Sequence, residues 1–123
     1  RAVKERGKFM ILTALLTAGA IVVGAGIIAT FWNEILGWLH RILDKLKTMI
    51  QGTIEGFKIF FSKMEGTGKQ IAKNYAKVGT KWKETIVEKT VELSDIPEEY
   101  RQKMLNSNTE YEFTEELESQ LAQ

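Results

Sequence analysis

The feature that most constrains this chain is a run of 24 residues, Phe9 to Trp32, that contains no charged side chain. As an α-helix it would be roughly 36 Å long, enough to cross the ~30 Å hydrocarbon core of a bilayer. A basic flank, residues 1–8, precedes it, and three aromatic residues lie at its far end, where an interfacial belt is expected: Phe31, Trp32 and Trp38. The sequence therefore predicts a transmembrane or membrane-inserting helix over 9–32 with a cytoplasmic N-terminus. A fully buried core helix is the alternative.

Small residues recur within this run at intervals of four. Such spacing lets the backbone of another helix approach closely, which is how apolar helices associate where water supplies no driving force. The pattern predicts helix–helix association, in a homo- or hetero-oligomer, through Ala14, Ala18, Ala20, Gly24, Ala25 and Ala29. The competing explanation is that glycine and alanine are common in membrane helices.

The middle of the chain has the periodicity of amphipathic helices. Apolar residues recur every three to five positions over 33–65, which predicts one such helix, and Gly66 to Gly68 predict a turn after it. A second helix is predicted over 69–93 because lysines stand four apart on one side of it: Lys69, Lys73, Lys77 and Lys81. Residues 85–91 also contain good strand formers, so a strand there stays open.

Charge is divided unevenly along the chain. Residues 1–83 hold fourteen Lys or Arg against five Asp or Glu, whereas residues 84–123 hold three against eleven. The lysine stripe therefore predicts an anionic partner, and the acidic tail, residues 94–123, could itself be that partner. The tail reads as short capped helices, so the whole chain is predicted to be all-α.

No catalytic, metal-binding or cofactor-binding constellation is predicted. The chain has no cysteine and a single histidine, His40, next to Arg41 on a predicted helix. The stretch Gly24 to Ala29 matches a dinucleotide-binding fingerprint, but the apolar run begins too early for a strand and no strand–helix units follow. We therefore expect no enzyme, no metal and no cofactor.

The amphipathic part that follows the apolar helix contains Trp, Phe and Gly at intervals, in the two stretches Phe31 to Leu39 and Gly56 to Ser62. In this texture, residues 9–63 resemble segments of phage tail tape-measure proteins. The resemblance implies a long helical chain with membrane-seeking segments, held in a tail tube and released toward a host membrane.

The sequence predicts a non-enzymatic, membrane-inserting helical structural or assembly protein, located in a membrane or in a membrane-targeting particle. Its expected partners are the lipid bilayer and other helices. A pore-forming toxin domain is the first alternative. A nucleic-acid binder acting through the lysine stripe is the second, although lysine without interleaved arginine makes nucleic acid an unfavoured partner.

Overall fold

The structure is a computed structural model that describes residues 26–106 and 110–121. Its elements in chain order are α1 (Ile27–Met49), β1 (Thr53–Met64), β2 (Thr67–Val78), β3 (Lys81–Val91), a 3₁₀ turn (Leu93–Asp95), α2 (Glu98–Leu105), β4 (Tyr111–Glu112) and α3 (Thr114–Leu121). The strands form one antiparallel sheet in the order β3-β2-β1-β4. The chain therefore has an α+β fold, and the prediction of an all-α chain is wrong.

Two tight turns build the three long strands into a meander. Gly66 and Gly79 have φ of +78° and +64°, values that glycine adopts without steric cost. Each lies in a two-residue loop between paired strand ends, Met64 with Thr67 and Val78 with Lys81. The predicted helix over 33–65 consequently ends at Met49, and the predicted helix over 69–93 is the β2–β3 hairpin.

Alternating burial shows which face of the sheet meets the core. On β1, Phe57, Ile59 and Phe61 are fully buried, while Lys58 and Phe60 between them are half-exposed. The same side of β2 carries Gly68, Gln70, Ala72, Asn74 and Ala76, all buried. This period of two is the pattern of a sheet that is covered on one face.

Helix α1 supplies the other half of the core. Ten of its residues are buried at helical spacing, among them Trp32, Leu39 and Leu43 at 1% exposure or less. Phe31 lies 5.8 Å from Phe61 of β1, measured between ring centroids, which places α1 against the inner face of the sheet. The amphipathic periodicity of α1 therefore reflects packing on a sheet.

The C-terminal elements close the same core. The N–H of Phe113 donates to the carbonyl of Ile59 at 2.8 Å, and the N–H of Ile59 donates to Oγ1 of the buried Thr114 at 3.2 Å. A Cβ at Gly68 on β2 would contact the side chains of Leu93, Ile96 and Met104, so these three residues pack directly over this glycine. Residues from both ends of the described chain therefore share one hydrophobic cluster.

The prediction of a membrane span over 9–32 has to be corrected. Residues 9–25 of it lie outside the described part, and residues 27–32 are the first turns of α1. No helix in the described ranges is both long and apolar enough to cross a membrane. Phe31 and Trp32 are buried against protein, so the described residues contradict the prediction of a membrane-inserting helix and the membrane function and location that were built on it.

Candidate protein-interaction site

The outer face of the sheet, on the side away from α1, is polar and aromatic. It carries Lys58 and Phe60 of β1, the odd-numbered residues of β2 and the even-numbered residues of β3. Ile71 on this face is only 1% exposed, because its neighbours in the sheet cover it. The face is therefore lined by packed side chains and has a small apolar centre of its own.

Three of the four lysines of the predicted stripe share this outer face. Lys69, Lys73 and Lys77 are separated by even numbers and project from the same side of β2, whereas Lys81 pairs with Val78 and lies on the opposite side. Nζ of Lys73 lies 3.1 Å from Oε1 of Glu110, and Nζ of Lys69 lies 3.7 Å from Oε1 of Glu88. The acidic half of the chain thus supplies anionic partners for the stripe.

Aromatic rings accompany these lysines. Nζ of Lys73 lies 4.3 Å from the ring centroid of Phe60, and Nζ of Lys77 lies 5.8 Å from that of Trp82, both within the range of cation–π attraction. Among the described residues, the outer-face lysines are thus matched by glutamates and rings. The prediction of an anionic partner for these lysines stays untested, as does that of nucleic acid as an unfavoured partner.

Tyr75 lies in the middle of the outer face. Partial burial of its side chain raises the pKa of its hydroxyl from 10.0 to about 12, and a hydrogen bond with Glu84 together with that carboxylate's negative charge adds to the rise. The neutral phenol is therefore held as a donor toward β3. This contact helps to fix the position of β3 on the sheet.

Strand β3 is the long edge of the sheet. Within the described ranges it pairs with β2 alone, and all its residues are exposed or half-exposed. Trp82 and Ile86 are 63% and 50% exposed, on the outer side of this strand. An edge strand of 11 residues presents a row of backbone groups that another strand can pair with.

The hairpin geometry identifies which backbone groups face outward. Val78 and Lys81 flank a two-residue loop and form a hydrogen-bonded pair, after which bonded and non-bonded pairs alternate along the ladder. The N–H and C=O groups that point away from β2 belong to Trp82, Glu84, Ile86, Glu88 and Thr90. These five residues form the free edge.

An acidic groove adjoins the end of this free edge. It has a volume of about 240 Å³ between α1, β3 and the 3₁₀ turn, and its polar lining comprises Glu34, Gln70, Lys89, Thr90, Glu92 and Asp95. Phe31 forms part of its apolar wall. Three carboxylates against one ammonium leave the groove with a net negative charge.

Of the remaining predicted site residues that the structure describes, only Phe31 borders the groove. Phe31, Trp32 and Trp38, expected at a membrane interface, are buried in the core, and Ala29 is buried on the same helix. The other five residues predicted for helix association, Ala14, Ala18, Ala20, Gly24 and Ala25, lie outside the described residues. No group of three or more His, Asp or Glu in the described ranges could hold a metal ion.

Comparison with known proteins yields no relative: no protein family, no curated protein and no solved structure matches the chain at a significant level. The resemblance to tape-measure segments stays a prediction. Of its two stretches, Phe31 to Leu39 lies in α1 and Gly56 to Ser62 in β1.

Sequence reasoning missed both the free edge and the groove. The signal for the edge was present, since the strand formers Thr85, Ile86, Val87, Thr90 and Val91 follow the glycine-containing turn at Gly79. The groove had no local signal, because Glu34, Gln70 and Asp95 come from three distant parts of the chain.

Proposed function

We propose that this chain is a protein-binding module that pairs the free edge of β3 with an extended segment of a partner protein. The observation that carries the proposal is an 11-residue edge strand, exposed along its length, with Trp82 and Ile86 beside its outward backbone groups. Strand addition of this kind takes affinity from main-chain hydrogen bonds and specificity from flanking side chains.

The charges of β3 favour a different chain over a second copy as the partner. Antiparallel self-pairing with full overlap would place Ile86 opposite its own copy. That register sets Lys83 opposite Lys89 and Glu84 opposite Glu88. Like charges directly opposite each other destabilise a strand pair, so this register is penalised at four positions.

Binding can be tested with a capped nine-residue peptide of alternating threonine and valine, followed by amide hydrogen exchange. The expected result is slower exchange at Trp82, Glu84, Ile86, Glu88 and Thr90 when the peptide is present, with unchanged exchange at the residues between them. Exchange at these five amides that does not respond to millimolar peptide would contradict the proposal.

Two proline variants provide a matched control. Ile86→Pro removes an outward N–H and is expected to leave the fold intact while abolishing peptide binding. Val87→Pro removes an N–H that bonds to β2, so it is expected to lower the free energy of unfolding by about 3 kcal/mol. If Ile86→Pro folds and binds the peptide like the wild type, the partner does not pair with this edge.

A further inference from the structure

The acidic groove contains a buried polar group without a protein partner. Gln70 is 5% exposed, and no hydrogen bond within the described chain engages its side-chain amide. Its amide atoms are not fully enclosed by protein, since Oδ1 of Asn74 is the only fully buried side-chain polar atom without a partner in the described part of the chain. Because Gln70 lines the groove, its amide is accessible for a hydrogen bond to a ligand there.

The charge of the lining selects a cationic ligand. Glu34, Glu92 and Asp95 face one ammonium group, that of Lys89, so an incoming cation gains attraction that an anion would not. A volume of about 240 Å³ lies below the roughly 300–1,000 Å³ of pockets for drug-sized molecules. A single side chain is the size of ligand that fits.

The position of the groove connects it to strand pairing. Lys89, Thr90 and Val91 at the end of β3 all contribute to its lining, and Thr90 is the last residue of the free edge. A segment paired with β3 would run past the mouth of the groove. Side chains of an extended segment alternate between its two faces, so every second one points toward α1.

We propose that the acidic groove binds an arginine side chain of the segment that pairs with β3, an inference that rests on the proposed strand addition. A guanidinium offers five N–H donors in one plane, which suits carboxylate oxygens together with the amide oxygen of Gln70. Phe31 in the wall offers an aromatic ring for guanidinium stacking.

The test uses two capped peptides of alternating threonine and valine that differ only at one residue, on the face toward α1 and at the end that pairs with Thr90, with arginine in one and citrulline in the other. Citrulline keeps the shape of arginine and lacks its charge. Calorimetric titration of the full chain is expected to give an affinity about tenfold higher for the arginine peptide, with the preference falling as salt is added. Equal affinities would overturn the inference.

Variants of the lining identify the groove as the source of the preference. The double variant Glu34→Gln with Asp95→Asn is expected to bring the two affinities together while the citrulline peptide binds as before. Glu99→Gln, at an exposed position of α2 that is not in the lining, serves as the control and should keep the tenfold preference. A preference that persists in the double variant would place the arginine elsewhere.

Hydrogen exchange separates failure of this inference from failure of the proposed function. If both peptides slow the five free-edge amides with equal affinity, strand pairing stands and the arginine assignment is wrong. If neither peptide slows them, strand pairing itself is wrong. Protection of these amides before any peptide is added would mean that the edge is already occupied, which overturns both.

Discussion

Trp32 lies at the centre of the packing, where helix, sheet and C-terminal segment meet. It is fully buried, and its Nε1–H donates to the hydroxyl of Tyr100 at 3.0 Å. Its ring lies 4.9 Å from that of Phe31 and 5.2 Å from that of Tyr100, both edge-on. Aromatic pairs in this geometry add to the stabilisation that burial already gives.

The Tyr100 hydroxyl gives a residue-scale prediction. Tyr100→Phe keeps the ring and leaves the buried indole N–H of Trp32 without an acceptor, so the free energy of unfolding should fall by about 1–3 kcal/mol. Urea denaturation followed by tryptophan fluorescence measures the change. Tyr111→Phe, at a half-buried position, is the control and should change stability by about 0.5 kcal/mol or less. Equal effects would contradict the role of the Trp32–Tyr100 hydrogen bond.

The Tyr75 hydroxyl gives a second residue-scale prediction, about pH. Its pKa in the folded chain is about 12 against an ordinary 10.0, so folding favours the protonated phenol. The contribution of the protonated Tyr75 hydroxyl to the free energy of unfolding is fully present below pH 10 and is lost as the pH rises from 10 toward 12. Phenolate absorbance should show one tyrosine titrating late, and Tyr75→Phe should remove that step and flatten the alkaline loss of stability. A late step that survives in this variant would assign it to another tyrosine.

At the scale of elements, the sequence predicted helical structure over the residues of α1, although divided between a span over 9–32 and a helix over 33–65, and misread the hairpin. Lysines at 69, 73 and 77 fit one side of a helix with 3.6 residues per turn, and they also fit one face of a strand with a period of two. The spacing alone cannot distinguish these structures. Apolar residues at every second position, Phe57, Ile59 and Phe61, favour a strand. Phe60 obscures this alternation in the sequence, because it is also apolar although it packs on the outer face.

Close packing where α1 leads into β1 gives an element-scale prediction. A Cβ at Gly52 would overlap the carbonyl oxygen of Lys77 in β2, so Gly52→Ala should force the strands apart and lower the free energy of unfolding by about 1–3 kcal/mol. At Gly37, on α1, a Cβ would contact only the Arg41 side chain, at 3.7 Å. Gly37→Ala is the matched variant and should stabilise the protein by up to about 1 kcal/mol. Thermal denaturation compares the two, and a stable Gly52→Ala variant would contradict the β1–β2 register.

At the scale of the whole molecule, the two oppositely charged parts of the sequence interleave. Lys69 and Lys73 from the basic part contact Glu88 and Glu110 from the acidic part. These pairs are partly exposed, so each contributes modestly to stability, and their main effect is to leave the outer face electrically balanced. Of these two carboxylates only that of Glu110 belongs to the acidic tail, residues 94–123, and the prediction that the tail is the partner of the lysine stripe stays untested.

The membrane prediction failed for a reason that also operates at the whole-molecule scale. The charge-free run ends within α1, whose next residues carry Glu34, Arg41 and Asp44 on its exposed side. The apolar residues 27–32, which were predicted to end a bilayer span, begin the apolar stripe by which α1 packs on the core. Hydropathy reports that a side chain avoids water, and it does not distinguish lipid from a sheet as the alternative environment.

The most direct test of the central claim, an α+β fold with an open β3 edge, is amide hydrogen exchange of the isolated protein, resolved by residue over 81–91. The structure predicts alternation, with protection at Lys83, Thr85, Val87 and Lys89, and fast exchange at Trp82, Glu84, Ile86, Glu88 and Thr90. Uniform protection through this stretch, as a helix or a strand paired on both sides would give, would contradict the account.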